Sequence, residues 1–418
     1  MPKNLHAERS DAAAPPRTTR TPRLVFMLGP AFVAAIAYVD PGNVAANLTA
    51  GARYGYLLLW VLILANAIAV LVQYQSAKLG LVTGRSLPEL LGDRLTNGPR
   101  RLYWVQAELV AAATDIAEVL GGAIALNLLF GVPLLLGGVI VGIASMILLL
   151  VQGRGRQRTF EGIIITLLAV ILVGFVSGLL FTNLDGGELV AGIIPRFEGT
   201  DSLLLASSML GATVMPHVIY LHSALARDRH GVGGDIPRLL KATRWDVGIA
   251  LAFAGAINIS MLLLAASSLR GVGGTDSIEG AHAAIVSALG PVIGVIFAVG
   301  LLASGLASTS VGTYAGSVIM GGLLKVRIPL IARRLVTLVP ALVILGIGFD
   351  PTHALVLSQV VLSFGIPFAL IPLVRLASSK TVMGEYANAP WLRIAGWISA
   401  IAIVLINVVL ITLVIVGV

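Results

Sequence analysis

Apolar runs separated by short polar loops recur along the chain, at roughly 24–52, 56–80, 102–129, 132–152, 160–182, 203–226, 246–268, 284–320, 328–349, 353–376 and 391–417. Each is near or above the roughly 20 residues that an α-helix needs to cross a bilayer. Two runs carry helix breakers in their middle: "AIAYVDPGNVAAN" (35–47) in the first and "GATVMPH" (211–217) in the sixth. The pattern predicts an all-α polytopic membrane protein with eleven transmembrane helices, the first and sixth broken.

Interrupted helices at matching places in two five-span sets point to an inverted-repeat secondary transporter with its site at the breaks. The separation from span one to span six is odd, so the halves run in opposite senses. This predicts repeats over about 24–182 and 203–376, an extra helix over 391–417, and a single transmembrane domain over 23–418. Residues 1–22 are polar, Pro/Ala-rich and basic, with no apolar segment, and read as a disordered cytoplasmic tail.

Composition agrees. Apolar residues make up 57% of the 418 and charged ones 11%, with mean hydropathy +0.96; a soluble domain carries about 25% charged residues. There is no cysteine, which excludes disulfides and thiolate metal sites. The net charge of +8 does not imply a nucleic-acid partner, because the bases are scattered over short loops. With the N-terminus inside, all of the 28 Lys and Arg except Arg53, Arg196 and Arg270 fall in the tail, in or beside inner loops, or at Lys78. That bias predicts a cell-membrane protein with a cytoplasmic N-terminus and an outside C-terminus. The outer loops hold Asp185, Glu188, Glu198, Asp201, Asp276, Glu279 and Asp350, a face mildly attractive to cations, or simply solvated loop charge.

An ionised Asp40 at mid-span costs about 2.5–3.5 kcal/mol on insertion scales and is tolerable facing a wet cavity or a cation. Pro41 brings no N–H and Gly42 permits unusual backbone, so the helix ends near Asp40 and restarts near Asn43. Carbonyls of the preceding turn, such as Ala37, lose their donors. Carboxylate, amide oxygen and bare carbonyls form a hard-oxygen cation site; the plainer reading is a proline kink with Asp40 capping the second half-helix. In span six, Pro216 frees carbonyls around Ala212, and Met215 adds a thioether that favours transition metals. A methionine in an apolar helix is ordinarily core; its place beside the break gives it weight. His217 reads equally as a hydrogen-bonded neutral residue, a ligand or a proton carrier.

Span three contains "QAELVAAATDIAEVLGG", which sets Glu108, Asp115 and Glu118 on one helical face. Crowded carboxylates away from water can take up and release protons. They can equally form a salt-bridge ladder with Arg333 and Arg334 of span nine, and the two readings are compatible.

"DPGN" in span one with "MPH" in span six, in an eleven-span frame, resembles the Nramp (natural resistance-associated macrophage protein) family from about residue 24 onward. These are proton-coupled divalent metal transporters whose bacterial members import manganese. The resemblance implies the five-plus-five fold shared with sodium-coupled amino-acid symporters. It implies that Asp40, Asn43 and Met215 bind metal, that Ala37 and Ala212 offer carbonyls, and that Gln359 in "LSQVVLSF" adds an amide oxygen. By itself Gln359 is a buried polar residue needing a partner. The resemblance also makes Asp115 the proton acceptor, with Glu118, Glu108, His217 and the span-nine arginines in its network. Of those two, Arg334 is read as facing inward, and His222 is placed on the exit path.

The expected activity is import of Mn2+ and Fe2+ by proton symport, with no enzymatic activity, no cofactor besides the transported ions, and no partner beyond metal, proton and bilayer. An organic-solute symporter on the same scaffold is expected to lack the acid and thioether pair; a uniporter does not need the acids of span three. No HExxH or nucleotide motif is present. "GLASTS" (305–310) reads as close helix packing. "NLT" and "NIS", at Asn47 and Asn258, lie within spans and are set aside as glycosylation sites.

Overall fold

The computed structural model describes residues 27–153, 157–275, 277–326 and 328–416. The tail over 1–22 and Asp276 lie outside the described residues. Among those described there is helix and no strand.

The first broken span is α1 (Pro30–Ala37) and α2 (Pro41–Tyr54), each opening on a proline at N1, where the missing N–H costs nothing. Span two is α3 (Leu59–Thr83), followed by a short α4 (Leu87–Arg94) in the loop. A capping box between Ser86 and Glu89 with Pro88 in the first turn starts α4. Then come α5 (Asn97–Phe130), α6 (Leu134–Gly153), α7 (Gln157–Val176) and a loop helix, α8 (Gly186–Ala191). The second broken span is α9 (Gly199–Thr213) and α10 (Pro216–His230). It leads to α11 (Ile236–Ser268), α12 (Ile278–Leu289), α13 (Pro291–Leu324), α14 (Leu330–Ile347), α15 (Pro351–Ala377), α16 (Lys380–Met383) and α17 (Pro390–Val416). Among the described residues, eight helical stretches are long and apolar enough to cross a membrane. The other three expected spans, α1 with α2, α6 and α14, are helical where the pattern placed them.

The two largest departures from the sequence expectation lie in the eighth and seventh runs. The run 284–320 is two helices, because Gly290 (φ 92°) and Pro291 end α12 and start α13. The seventh span starts ten residues earlier, at Ile236. Asp235 caps it by accepting from the Arg238 N–H at 3.1 Å, with Pro237 in the first turn. Asp246, expected as the first residue of the span, is therefore ten residues inside the helix.

The bundle is drawn tight where glycine lets backbones meet. In α5 and α13, Gly305 sits so close that a methyl there would lie 3.0 Å from the Glu118 carbonyl oxygen, which is the packing role expected of "GLASTS". A methyl on Gly80 of α3 would stand 1.9 Å from the Ser223 carbonyl oxygen of α10. Gly80→Ala is expected to destabilise the protein by about 1–3 kcal/mol. Gly321→Ala, with nothing within 4 Å of its new carbon, is expected to be neutral or slightly stabilising. Thermal unfolding of the two variants in detergent compares them directly.

The loops sorted by charge do gather by end. Arg53, Glu188, Arg196, Glu198 and Arg270 line one cavity, and Arg270 pairs with Glu188 at 2.8 Å. At the other end Arg85 and Lys325 pair with Asp93, Arg227 with Glu89, and Arg229 with Glu161.

Candidate metal site

The first break is held open by side chains. Asp40 is extended (φ −70°, ψ 166°) and is the N-cap of α2, its Oδ1 accepting from the Asn43 N–H at 2.8 Å. The capping reading is therefore correct, but it uses one oxygen. The other, Oδ2, accepts from Gln359 Nε2 at 3.2 Å. Gln359 can come this near because residue 42 is glycine: a methyl there would lie 1.7 Å from Gln359 Nε2.

The loosened carbonyls divide into two kinds. Tyr38 O accepts from Asn43 Nδ2 at 2.5 Å and from Asn258 Nδ2 at 2.8 Å, and Val39 O accepts from Ser304 Oγ at 2.5 Å. The helical donor to Ala37 O would be the N–H of residue 41, which proline lacks. Asn43 Oδ1 accepts from Asn47 Nδ2 at 3.0 Å, and an amide oxygen keeps a second lone pair.

The second break repeats the geometry. Met215 is extended (φ −66°, ψ 120°), fully buried, and offers no side-chain cap to α10. Pro216 stands four residues after Ala212, so the Ala212 carbonyl loses its donor just as Ala37 does. The half-helices pack crosswise, α1 on α10 and α2 on α9, which brings the two breaks level. Gln359 touches both: a methyl on Gly211 would meet its carbonyl oxygen at 2.0 Å. Its side-chain Oε1 is buried without a hydrogen-bond partner. Among the described residues no three His, Cys, Asp or Glu side chains converge as a metal cluster, and Asp40 is the one carboxylate on the two breaks themselves.

The acids of α5 lie against this region, since a methyl on Gly121, one turn after Glu118, would meet Pro41 at 1.9 Å. Both arginines of α14 are used, on different acids. Arg334 is fully buried, 3.1 Å from Asp115 Oδ1, and donates through Nε to Ser145 Oγ at 2.9 Å. Arg333 clamps Glu108 with two contacts, at 2.7 and 3.0 Å. Two rungs of the ladder therefore exist. Glu118 is outside it, fully buried with neither carboxyl oxygen hydrogen-bonded. His217 joins the acid helix, its Nδ1 3.4 Å from Thr114 Oγ1 and its Nε2 unpartnered.

His222 does not join that cluster. Its Nδ1 lies 2.8 Å from Gln73 Oε1, and Gln73 Nε2 donates to the Tyr38 hydroxyl, tying α1, α3 and α10 together beside the first break. Further out, Asp246 of α11 accepts from the Gly29 and Ala31 N–H groups, both at 2.9 Å, and so caps α1 from another helix. Tyr38, Gln73, Asn47, Asn258, Ser304 and Asp246 were not singled out from sequence as parts of the site. The available signal was their polarity within apolar runs, and two of them stood in the sequons set aside.

Two broken helices facing each other at a buried polar centre define a membrane protein of the interrupted-helix transporter type. The profile described as "Natural resistance-associated macrophage protein-like" matches residues 31–413. The chain belongs to the Nramp family and is a multi-pass membrane protein. It is 58% identical over 395 residues to the divalent metal cation transporter MntH of Mycobacterium tuberculosis, covering 94% of this chain and 92% of that one. Its fold matches the crystal structure of the Eremococcus coleocola manganese transporter, with TM-score 0.83 and 31% identity over 94% of this chain and 88% of that one. MhsT, solved with L-phenylalanine, shares the fold alone at TM-score 0.62 and 16% identity, over 93% of this chain and 99% of that one.

Proposed function

We propose that this protein is a secondary importer of Mn2+, and of Fe2+, driven by proton symport. It would cross the cell membrane eleven times, as two inverted five-span repeats and an extra helix, with the N-terminus in the cytoplasm and the C-terminus outside. The observation that carries the reading is the pairing of breaks: one buried carboxylate, Asp40, on the first, and one buried thioether, Met215, on the second, with Gln359 against both. The relative in M. tuberculosis is named for divalent metal cation transport, and the E. coleocola protein is a manganese transporter.

The arriving ion exchanges water for Asp40, Asn43, Met215 and the carbonyls of Ala37 and Ala212. Gln359 becomes a ligand by turning its amide so that the unpartnered Oε1 faces the ion. The ion's charge favours release of a proton from the nearby acids. Glu118 and Asp115, with His217, Arg334 and Glu108, form the route for that proton, which leaves the metal and proton paths on different sides of the first break. Tyr38, Gln73 and His222 close the exit until the bundle holding the broken helices moves.

The thioether sets selectivity, because sulfur is a poor replacement for a water oxygen on Ca2+ or Mg2+ and an adequate one on Mn2+. Met215→Ala is expected to retain Mn2+ uptake in liposomes within about tenfold, and to let Ca2+ compete at least about tenfold more effectively. Unchanged discrimination in this variant removes the thioether from the account.

A further inference from the structure

We infer that the end of α11 that carries Lys241 and Arg244 holds an anionic phospholipid, its phosphate between those two side chains and an acyl chain along the helix below them. Two grooves open there, of about 1150 and 770 Å³, sharing Leu240, Arg244 and Tyr386. The larger descends α11 over Gly248, Ile249, Ala252, Phe253 and Ala256, with Lys241, Arg244, Trp245 and Tyr386 at its mouth. Polar chemistry stands at one end and apolar chemistry fills the other, along one face of a single helix.

The charge at the mouth lacks a counter-ion. Lys241 is exposed and has no acidic partner among the described residues, and no acid lines the larger groove. Arg244 is oriented without being neutralised: its Nε donates to the Tyr74 hydroxyl at 3.2 Å and its guanidinium lies 5.5 Å from the Tyr74 ring centroid. Three residues apart on a helix, Lys241 and Arg244 are about 5–6 Å apart at Cβ, a span that one phosphate bridges. Two acids stand nearby, Glu385, which lines the smaller groove, and Asp235, the N-cap of α11; both act on the Tyr386 hydroxyl, and neither lines the larger groove. With no acid on its own lining and both Lys241 and Arg244 at its mouth, the larger groove is the better seat for the phosphate.

The apolar part fits a lipid tail by length and exposure. Gly248 to Ala256 is about 12 Å of helix, against about 15 Å for half the hydrocarbon core of a bilayer. Phe253 and Trp245 are 42% and 57% exposed inside a helix long and apolar enough to cross a membrane. Trp245, Tyr386 and Tyr74 stand where aromatic side chains gather at the headgroup level. The cationic mouth selects an anionic headgroup over a zwitterionic one.

The test uses the purified full chain in detergent without metal, so its outcome is independent of the transport reading. Lipid retention is titrated by native mass spectrometry with dioleoylphosphatidylglycerol, dioleoylphosphatidylcholine, and glycerol phosphate as the headgroup alone. The wild type is expected to retain one phosphatidylglycerol at least about tenfold more tightly than phosphatidylcholine. The double variant Lys241→Gln with Arg244→Gln is expected to weaken it about 30-fold, at about fivefold per charge, and Lys241→Arg to preserve it. If the double variant does not fold, Lys241→Gln alone should show the fivefold loss. Equal retention of the two lipids, an unaffected charge variant, or competition by glycerol phosphate as effective as the lipid each overturns the proposal.

Discussion

Asp40→Asn is expected to leave the protein folded and to lower Mn2+ uptake at least about 100-fold. Asparagine is as good an N-cap as aspartate, so its oxygen can still accept from the Asn43 N–H. The amide nitrogen then faces Gln359, whose Oε1 has no partner and can turn to accept from it. What is lost is the one carboxylate at the breaks. At an effective dielectric of about 20, a unit charge 4 Å away is worth about 4 kcal/mol per unit of cation charge. Even a third of the share for a divalent ion, about 2.7 kcal/mol, is a factor of about 100. Uptake of radiolabelled Mn2+ into liposomes, beside thermal unfolding of the same preparation, separates loss of the ligand from loss of the fold. Uptake within a few-fold of wild type places the ion elsewhere.

Arg334→Met is expected to cost about 3–5 kcal/mol of stability, because it strands a buried carboxylate without its partner. Arg334 is fully buried, and Asp115, 2% exposed, lies 3.1 Å from it. Adding Asp115→Leu removes the stranded charge, and exchange of a whole buried ion pair for apolar groups is often neutral. The double variant should therefore unfold at a higher temperature than the single one, while remaining without proton-coupled uptake. Arg333→Met should cost less, because its partner Glu108 is a quarter exposed and can be rehydrated. A double variant less stable than Arg334→Met shows that the pair is not what holds α14 on α5.

Much of this was legible because proline and glycine act on their own neighbours. Pro41 and Pro216 break their helices wherever the rest of the chain goes, and each strips the donor from an alanine carbonyl four residues before it. The face shared by Glu108, Asp115 and Glu118 follows from helical period alone. Which arginine meets which acid does not, since it depends on how α14 is rotated against α5.

The same limit hid Asn258, Ser304 and Asp246, which serve carbonyls or N–H groups more than 200 residues away in sequence. Asp246 was hidden a second way: the polar first turns of α11 fell outside the expected span, so Asp246 stood at the end of a helix instead of well inside one. The Gly290–Pro291 pair was a local signal, but a continuous apolar run on both sides concealed the end of α12.

The central claim is that Mn2+ and protons enter together through the two breaks. The most direct test is Mn2+ uptake into liposomes that contain the purified protein and an internal pH indicator. An inward Mn2+ gradient should acidify the lumen as metal enters, and Asp40→Asn should abolish both signals. Mn2+ entry with no change in internal pH contradicts proton symport, and the absence of Mn2+ entry contradicts the metal reading itself.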